Sequence, residues 1–173
     1  DELGNSVRGI QVCQELSAHF KLHLLQGEDT SENCIRNVYD LSNIRSVHTR
    51  KSADADILDE HGFKCSVIEL GGSITLIHSD AITREITNII DQEFIIISLQ
   101  KVNKISIGAV KILKEFFQKF EDNETEILFC GAQNDDIDRR DVFESFQEFT
   151  NTGTLHYTNL DQAIEWVEEQ LIA

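Results

Sequence analysis

The chain of 173 residues contains no methionine and no proline, where ordinary usage would supply roughly nine prolines. Lys and Arg number 15 against 31 Asp and Glu, a net charge of −16 whose field repels phosphate backbones and anionic membranes and argues against general nucleic-acid binding. With 40% apolar and 27% charged residues the composition fits a globular protein: one domain of roughly 100–150 residues and an appendage, read here as a piece of a longer polypeptide because Met is absent.

The longest apolar run, Phe94-Ile95-Ile96-Ile97, is far short of the roughly 20 residues of a membrane helix, and Asp1-Glu2-Leu3-Gly4 lacks the basic and apolar character of a signal peptide. No membrane contact and a cytoplasmic location are therefore expected. Cys13, Cys34, Cys65 and Cys130 form no C-x-x-C pair and are read as reduced thiols filling core positions.

In chain order, Ile10, Cys13, Leu16, Phe20 and Leu24 form the apolar stripe of an amphipathic helix over 10–25, with Asn5-Ser6 near its start. Residues 27–62 are polar and punctuated, with one apolar patch at Val38-Tyr39-Asp40-Leu41, and read as a connector packed against something else. From Phe63 the texture alternates. Cys65–Leu70 and Ile74–Ile77, separated by Gly71-Gly72, read as a β-hairpin. Residues 80–91 carry a helical stripe, and the unalternating run Phe94–Leu99 predicts a strand buried on both faces at the centre of the sheet.

A helix over 106–120, a strand over 126–130, a helix over 141–149, a strand over 155–157 and a helix over 160–171 complete the order ββαβαβαβα. The expected fold class is α/β: a mixed sheet of about five strands with four helices, preceded by an N-terminal helix and connector.

Two stretches resemble known families. From Cys65 to Ala173 the chain is similar to the STAS domain of sulfate transporters and anti-sigma-factor antagonists. The features that carry this are Val67-Ile68-Glu69-Leu70-Gly71-Gly72-Ser73-Ile74, the strand and turn from Ile95 to Ser106, and Asn159-Leu160-Asp161-Gln162-Ala163-Ile164-Glu165-Trp166. The N-terminal Asp1-Glu2-Leu3-Gly4-Asn5-Ser6-Val7-Arg8-Gly9, with a helix ending in Leu22-His23, resembles the last stretch of the serine-dependent glutaminases, some of which continue into a STAS domain. Their connector is similar to Tyr39-Asp40-Leu41-Ser42-Asn43-Ile44-Arg45-Ser46, and the closing Ala163–Glu168 is typical of the fused class.

This resemblance implies a division into residues 1–28 as the terminal helix of a glutaminase catalytic domain, 29–62 as connector and 63–173 as STAS domain. It also implies a parent enzyme that hydrolyses L-glutamine to L-glutamate and ammonia through a Ser-x-x-Lys pair upstream of Asp1, so that the chain itself carries no catalytic residue, metal or cofactor. Its partners would be the parent's own catalytic domain and further copies in a homo-oligomer. The alternatives are a stand-alone anti-sigma-factor-antagonist-like protein, the cytoplasmic STAS domain of an anion transporter, and a small-molecule sensor on the same scaffold.

Several residues invite chemistry. Ser98 and Lys101 make a literal S-x-x-K, but Ser98 is expected to end a buried strand rather than open a helix. His19 and His23 at i, i+4 lack a third ligand, and Asp135, Asp136 and Asp138 lack the Gly and Glu of a calcium loop. Resemblance makes Ser106, Ile107 and Gly108 a STAS switch turn. Ile107 stands at the phosphoacceptor position, where it offers no hydroxyl, while Ser106 suits a helix cap. Arg45, His48, Arg50 and Lys51 form a basic cluster, either solvated or docked on an acidic patch of the same or a neighbouring subunit.

Overall fold

The computed structural model describes residues 33–89, 91–118, 124–132 and 155–173. The predicted helices over 10–25 and 141–149, and the residues Cys13, His19, His23, Asp135, Asp136 and Asp138, lie outside them. Within the compact unit Cys34–Ala173 the elements run β1 (Ile35–Asp40), α1 (Ser52–His61), a single 3-10 turn (Gly62–Lys64), β2 (Cys65–Ile74), α2 (Leu76–Asn88), β3 (Phe94–Ile105), α3 (Ile107–Gln118), β4 (Glu126–Cys130), β5 (Leu155–Tyr157) and α4 (Leu160–Ile172).

The five strands lie side by side in chain order. β1 runs antiparallel to β2, and the remaining neighbours are parallel, so the sheet is mixed. β3 is its central strand. Successive residues of a strand point to opposite faces, and a strand with no polar alternation needs apolar cover on both. Ile95, Ile97 and Leu99 accordingly join one core with Ile82 and Ile86 of α2 and Ala109, Val110, Leu113 and Phe117 of α3. Ile96 joins the other, with Val67, Leu128 and Leu41 and with Ala163, Ile164 and Val167 of α4. α1 packs beside α4 and buries Leu58. The result is three layers, with α2 and α3 on one face of the sheet and α4 with α1 on the other.

Three local expectations are corrected. The hairpin at Gly71-Gly72 is one continuous strand: β2 passes through both glycines to Ile74, and its register against β3 slips between Glu69 and Gly71 and again between Gly72 and Ser73. Gly72 takes a positive φ of 74°, and a Cβ on Gly71 would stand 2.9 Å from Arg36 Nε. The pair therefore serves a bulged strand under a close-lying side chain, not a turn. Residues 76 and 77, read as strand, open α2, where Thr75 and His78 form a capping box. β3 continues to Ile105 instead of stopping at Leu99, which puts Lys101 inside the strand. The polar stretch before residue 62, for its part, supplies the edge strand β1 and the helix α1.

Gly131 follows β4 with φ of 76°, and a Cβ there would sit 2.9 Å from Gln100 N and 3.0 Å from its Cα. Backbone cannot yield as a side-chain tip can, and the left-handed conformation adds its own penalty. Gly131→Ala is expected to cost about 2 kcal/mol, read as a lower urea midpoint with an unchanged slope.

Candidate functional site

The turn between β3 and α3 is fixed at both ends. Ser106 N–H donates to Ile74 O at 2.8 Å, and Ser106 O accepts from Val110 N at 3.0 Å. Its side-chain oxygen accepts from Ala109 N at 3.3 Å, the geometry of a helix cap. Ile107 follows with 89% of its surface exposed. Gly108 lies beneath Leu76: a Cβ there would stand 3.3 Å from Leu76 Cδ1. The residues opening α2, Leu76 and Ile77, are exposed as well. Ser106, Ile107 and Gly108 thus border an exposed apolar group contributed by the N-termini of two helices, and of its members Leu76, Ile77 and Ile107 only Ile107 was marked in the sequence.

The basic cluster divides. Arg45 Nη2 meets Asp59 Oδ1 of α1 at 2.8 Å, an exposed pair of small energetic weight. Lys51 is exposed just ahead of α1. Arg50 instead turns to α4, where Nη2 lies 3.3 Å from Glu168 Oε2 and donates to Glu165 O at 3.2 Å. Glu168 is 1% exposed. Its other oxygen accepts from Ser46 N at 2.9 Å, and the Ser46 hydroxyl donates to Oε2. One turn back on α4, His48 Nδ1 lies 3.1 Å from Glu165 Oε1. At the start of the helix, Val47 N donates to Asp161 Oδ1 at 2.8 Å. Asp161, Glu165 and Glu168 follow at i, i+4 and i+7, so one stripe of α4 holds residues 46–50 as a strap.

A second polar group crosses the sheet. The register aligns Asn37, Glu69, Ser98, Cys130 and Tyr157 in one transverse row over all five strands. Glu69 accepts from Lys101 Nζ at 2.8 Å, Tyr39 OH at 3.0 Å and Asn37 Nδ2 at 3.4 Å. The Lys101 hydrogen bond foremost, with those from Tyr39 and Asn37, holds the Glu69 carboxyl below its ordinary range against the opposing effect of burial. Burial, and then the Glu69 hydrogen bond, pushes the Tyr39 phenol up.

This row disposes of the S-x-x-K. Ser98 is 2% exposed in mid-strand and hydrogen-bonds the Cys130 thiol, while Lys101 is engaged by Glu69. A base committed to a carboxylate and a hydroxyl sealed in the sheet cannot form an activated nucleophile. Nor are the thiols poised for chemistry: Cys34, Cys65 and Cys130 are free and buried. Burial raises all three, Cys130 to about 11. Among the described residues no group of three or more His, Cys, Asp or Glu is arranged to hold a metal ion, and no helix is long and apolar enough to cross a membrane.

The fold agrees with what the chain resembles in sequence. The STAS domain family model matches residues 54–163, and the chain belongs to that family. Over 99% of its length it is 29% identical to Glutaminase 1 of Bradyrhizobium diazoefficiens, and over 97% it is 28% identical to Glutaminase 2 of the same organism. It spans only 28% and 27% of those two proteins. Among solved structures it is similar to the anti-sigma factor antagonist SpoIIAA in its unphosphorylated form, at 14% identity and a TM-score of 0.47, covering 60% of this chain and 89% of that one.

Sequence reasoning missed Glu168 and Leu76. The signal for the first was available: Glu168 interrupts the apolar face that Ala163, Ile164 and Val167 share, and a carboxylate at a core position calls for a partner. Leu76 was hidden by its assignment to a strand.

Removing the Glu168 carboxylate leaves Arg50 and the Ser46 N–H unmatched in a mostly closed site. Glu168→Ala is expected to destabilise by about 3 kcal/mol, and Ser46→Ala by about 1 kcal/mol. Glu168→Gln should fall between Glu168→Ala and wild type, and the Glu168/Ser46 pair should be non-additive in a double-mutant cycle by urea unfolding. Because the folded-state pKa of Glu69 is depressed, its contribution is present above the ordinary glutamate value of about 4.3 and is lost as pH falls through the native value beneath it. In Lys101→Met the Glu69 carboxyl is expected to titrate at higher pH, followed by its side-chain carbonyl NMR shift.

Proposed function

We propose that the chain is a non-catalytic STAS interaction and regulatory module of a glutaminase, an amidohydrolase that converts L-glutamine to L-glutamate and ammonia in the cytoplasm. The observation that carries this reading is the extent of the similarity. It runs along 99% of the chain, including the stretch before residue 54 that the STAS family model leaves unmatched, and the relatives reached in this way are named glutaminases.

In this reading residues 1–28 belong to the end of the catalytic domain and 29–62 lead into the module. The partners are that catalytic domain and other copies of the polypeptide. The site geometry supports a role without chemistry: the serine of the Ser98-x-x-Lys101 match is sealed in the sheet while the exposed Lys101 is engaged by Glu69, and the three described thiols are buried and protonated at neutral pH. Arg45 and Arg50 act within the unit, bracing α1 and α4, and among the described residues the exposed Lys51 of the same cluster enters no ion pair. Ser106 serves α3 as its cap, and Ile107 offers an apolar side chain where a switch would need a hydroxyl.

The test is a coupled assay for ammonia on the purified chain with glutamine. No turnover above buffer is expected. Turnover abolished by Ser98→Ala would overturn the non-catalytic reading, and absence of glutaminase activity from the natural polypeptide that carries this chain would overturn the assignment to that enzyme.

A further inference from the structure

The helices α2 and α3 start level with each other. Their strands β2 and β3 end side by side, with Ile74 opposite Ile105, and each helix opens two residues later, at Leu76 and at Ile107. Leu76 lies against Gly108, and the two helices pack together on one face of the sheet. Their outward surfaces therefore share one frame, turn for turn from the N-termini down. Leu76, Ile77, Ile107 and Ile112, at 49%, 45%, 89% and 37% exposure, are half of the large apolar side chains that stand exposed among the described residues. A single exposed aliphatic residue is ordinary on a protein surface, whereas a group gathered on one pair of helices marks a contact.

The charges beside this group alternate in sign, and in opposite order on the two helices. On α2, Leu76, Asp80 and Arg84 fall at i, i+4 and i+8, and on α3, Ile107, Lys111 and Glu115 do the same. All six are exposed. Each helix thus presents an apolar residue, then a charge one turn on, then the opposite charge: minus before plus on α2, plus before minus on α3. Asp80 and Arg84 meet at 2.7 Å, an exposed pair of small weight that engages one oxygen of the carboxylate. Lys111 and Glu115 stand in the order less favourable for an i, i+4 pair, and they enter no ion pair among the described residues.

We propose that the α2–α3 face pairs with the same face of a second copy, about a two-fold axis that runs along the helices between α2 and α3. Such an axis lays α2 of each copy on α3 of the other, parallel and level. Leu76 and Ile77 of one copy then meet Ile107 of the other, Asp80 meets Lys111 and Arg84 meets Glu115, each contact being made twice. The remaining charges find no like charge opposite: Lys104 comes level with Ser73, Lys114 with Thr83 and Glu85 with Phe116. Turning the second copy end for end would also match charges, Asp80 with Arg84 and Lys111 with Glu115, but it would set Leu76 and Ile77 against Asn88 and Thr87 and leave the apolar groups apart. The contact is small and much of it is exposed charge, so it is weak and salt-sensitive, and being isologous it closes at two copies. It gives a surface to the further copies named as partners above and rests on that part of the reading, while the glutaminase assignment plays no part in it.

Sedimentation velocity on the full chain between about 10 µM and about 1 mM tests it, at low salt and at a salt concentration that shortens the Debye length to about 3 Å. The weight-average sedimentation coefficient is expected to rise with concentration towards that of a dimer, and to rise less at high salt. Ile107→Ser should shift the association roughly tenfold to higher concentration. Lys111→Glu sets two carboxylates opposite each other and should shift it by about as much, and Asp80→Lys added to the same chain should bring it back towards wild type. The replaced residues are exposed, so far-UV circular dichroism and thermal midpoint should stay near wild type. A chain monomeric at the highest concentration, or association that grows past two copies, would overturn the proposal. So would rescue of Lys111→Glu by Glu115→Lys but not by Asp80→Lys, the mark of the end-for-end arrangement. Association unaffected by Ile107→Ser and Lys111→Glu would overturn this face while leaving oligomerisation in place elsewhere, and none of these results bears on the ammonia assay.

Discussion

The structure depends on one constraint: β3 carries apolar side chains on both of its faces and must be covered twice. A strand of that kind is stable only in the interior of a sheet with helices on either side. The parallel strands on its flanks follow from the crossovers β2-α2-β3 and β3-α3-β4, whose helices contribute to the same core. The second face is left to α4, which arrives from the far end of the chain to cover Val67, Ile96 and Leu128. One helix is narrow cover for a five-stranded sheet. α1 and the strap at 46–50 complete that layer, and this makes the segment ahead of β2 integral to the unit.

The two layers are held by different physics. On the α2–α3 side the contacts are apolar, and Phe117 meets Phe129 edge-on at 5.1 Å between ring centroids. On the α4 side a buried carboxylate fixes the strap. Desolvating Glu168 is costly, and two hydrogen bonds from Ser46 with the Arg50 guanidinium offset that cost. Apolar packing tolerates sliding by a fraction of a side chain. A carboxylate that needs three donors at fixed positions does not, so the strap has one seat on α4.

How much of this could be read from residues alone follows the range of the interactions. β3 was legible because four successive branched or aromatic residues leave no exposed face, and α4 because Ala163, Ile164, Val167 and Leu171 keep a helical period. α1 was not legible: it buries one residue, Leu58, so acidic letters outweigh any stripe. Gly71-Gly72 misled because a turn and a bulged strand use glycine for the same freedom of φ, and what separates them is Arg36 lying across from the neighbouring strand. At the site, the Ser106 cap is a local pattern and was visible. The Glu168 contacts join residues 122 positions apart, and the approach of Leu76 to Gly108 depends on how two helices start side by side. No local pattern encodes either.

The transverse row Asn37, Glu69, Ser98, Cys130 and Tyr157 shows how a sheet can hold reactive residue types without reactivity. In parallel α/β sheets the carboxyl ends of the strands are where ligands usually bind, and here a serine, a thiol, a phenol, a carboxylate and a lysine converge near that edge. Glu69 answers Lys101 and the Tyr39 phenol beside the row, and Ser98 answers the Cys130 thiol. Mutual satisfaction lowers the energy of the closed sheet and removes the free lone pair or free proton that catalysis requires. What the row leaves aside lies on the outside of the unit, where Ile107 and Val47 are almost fully exposed.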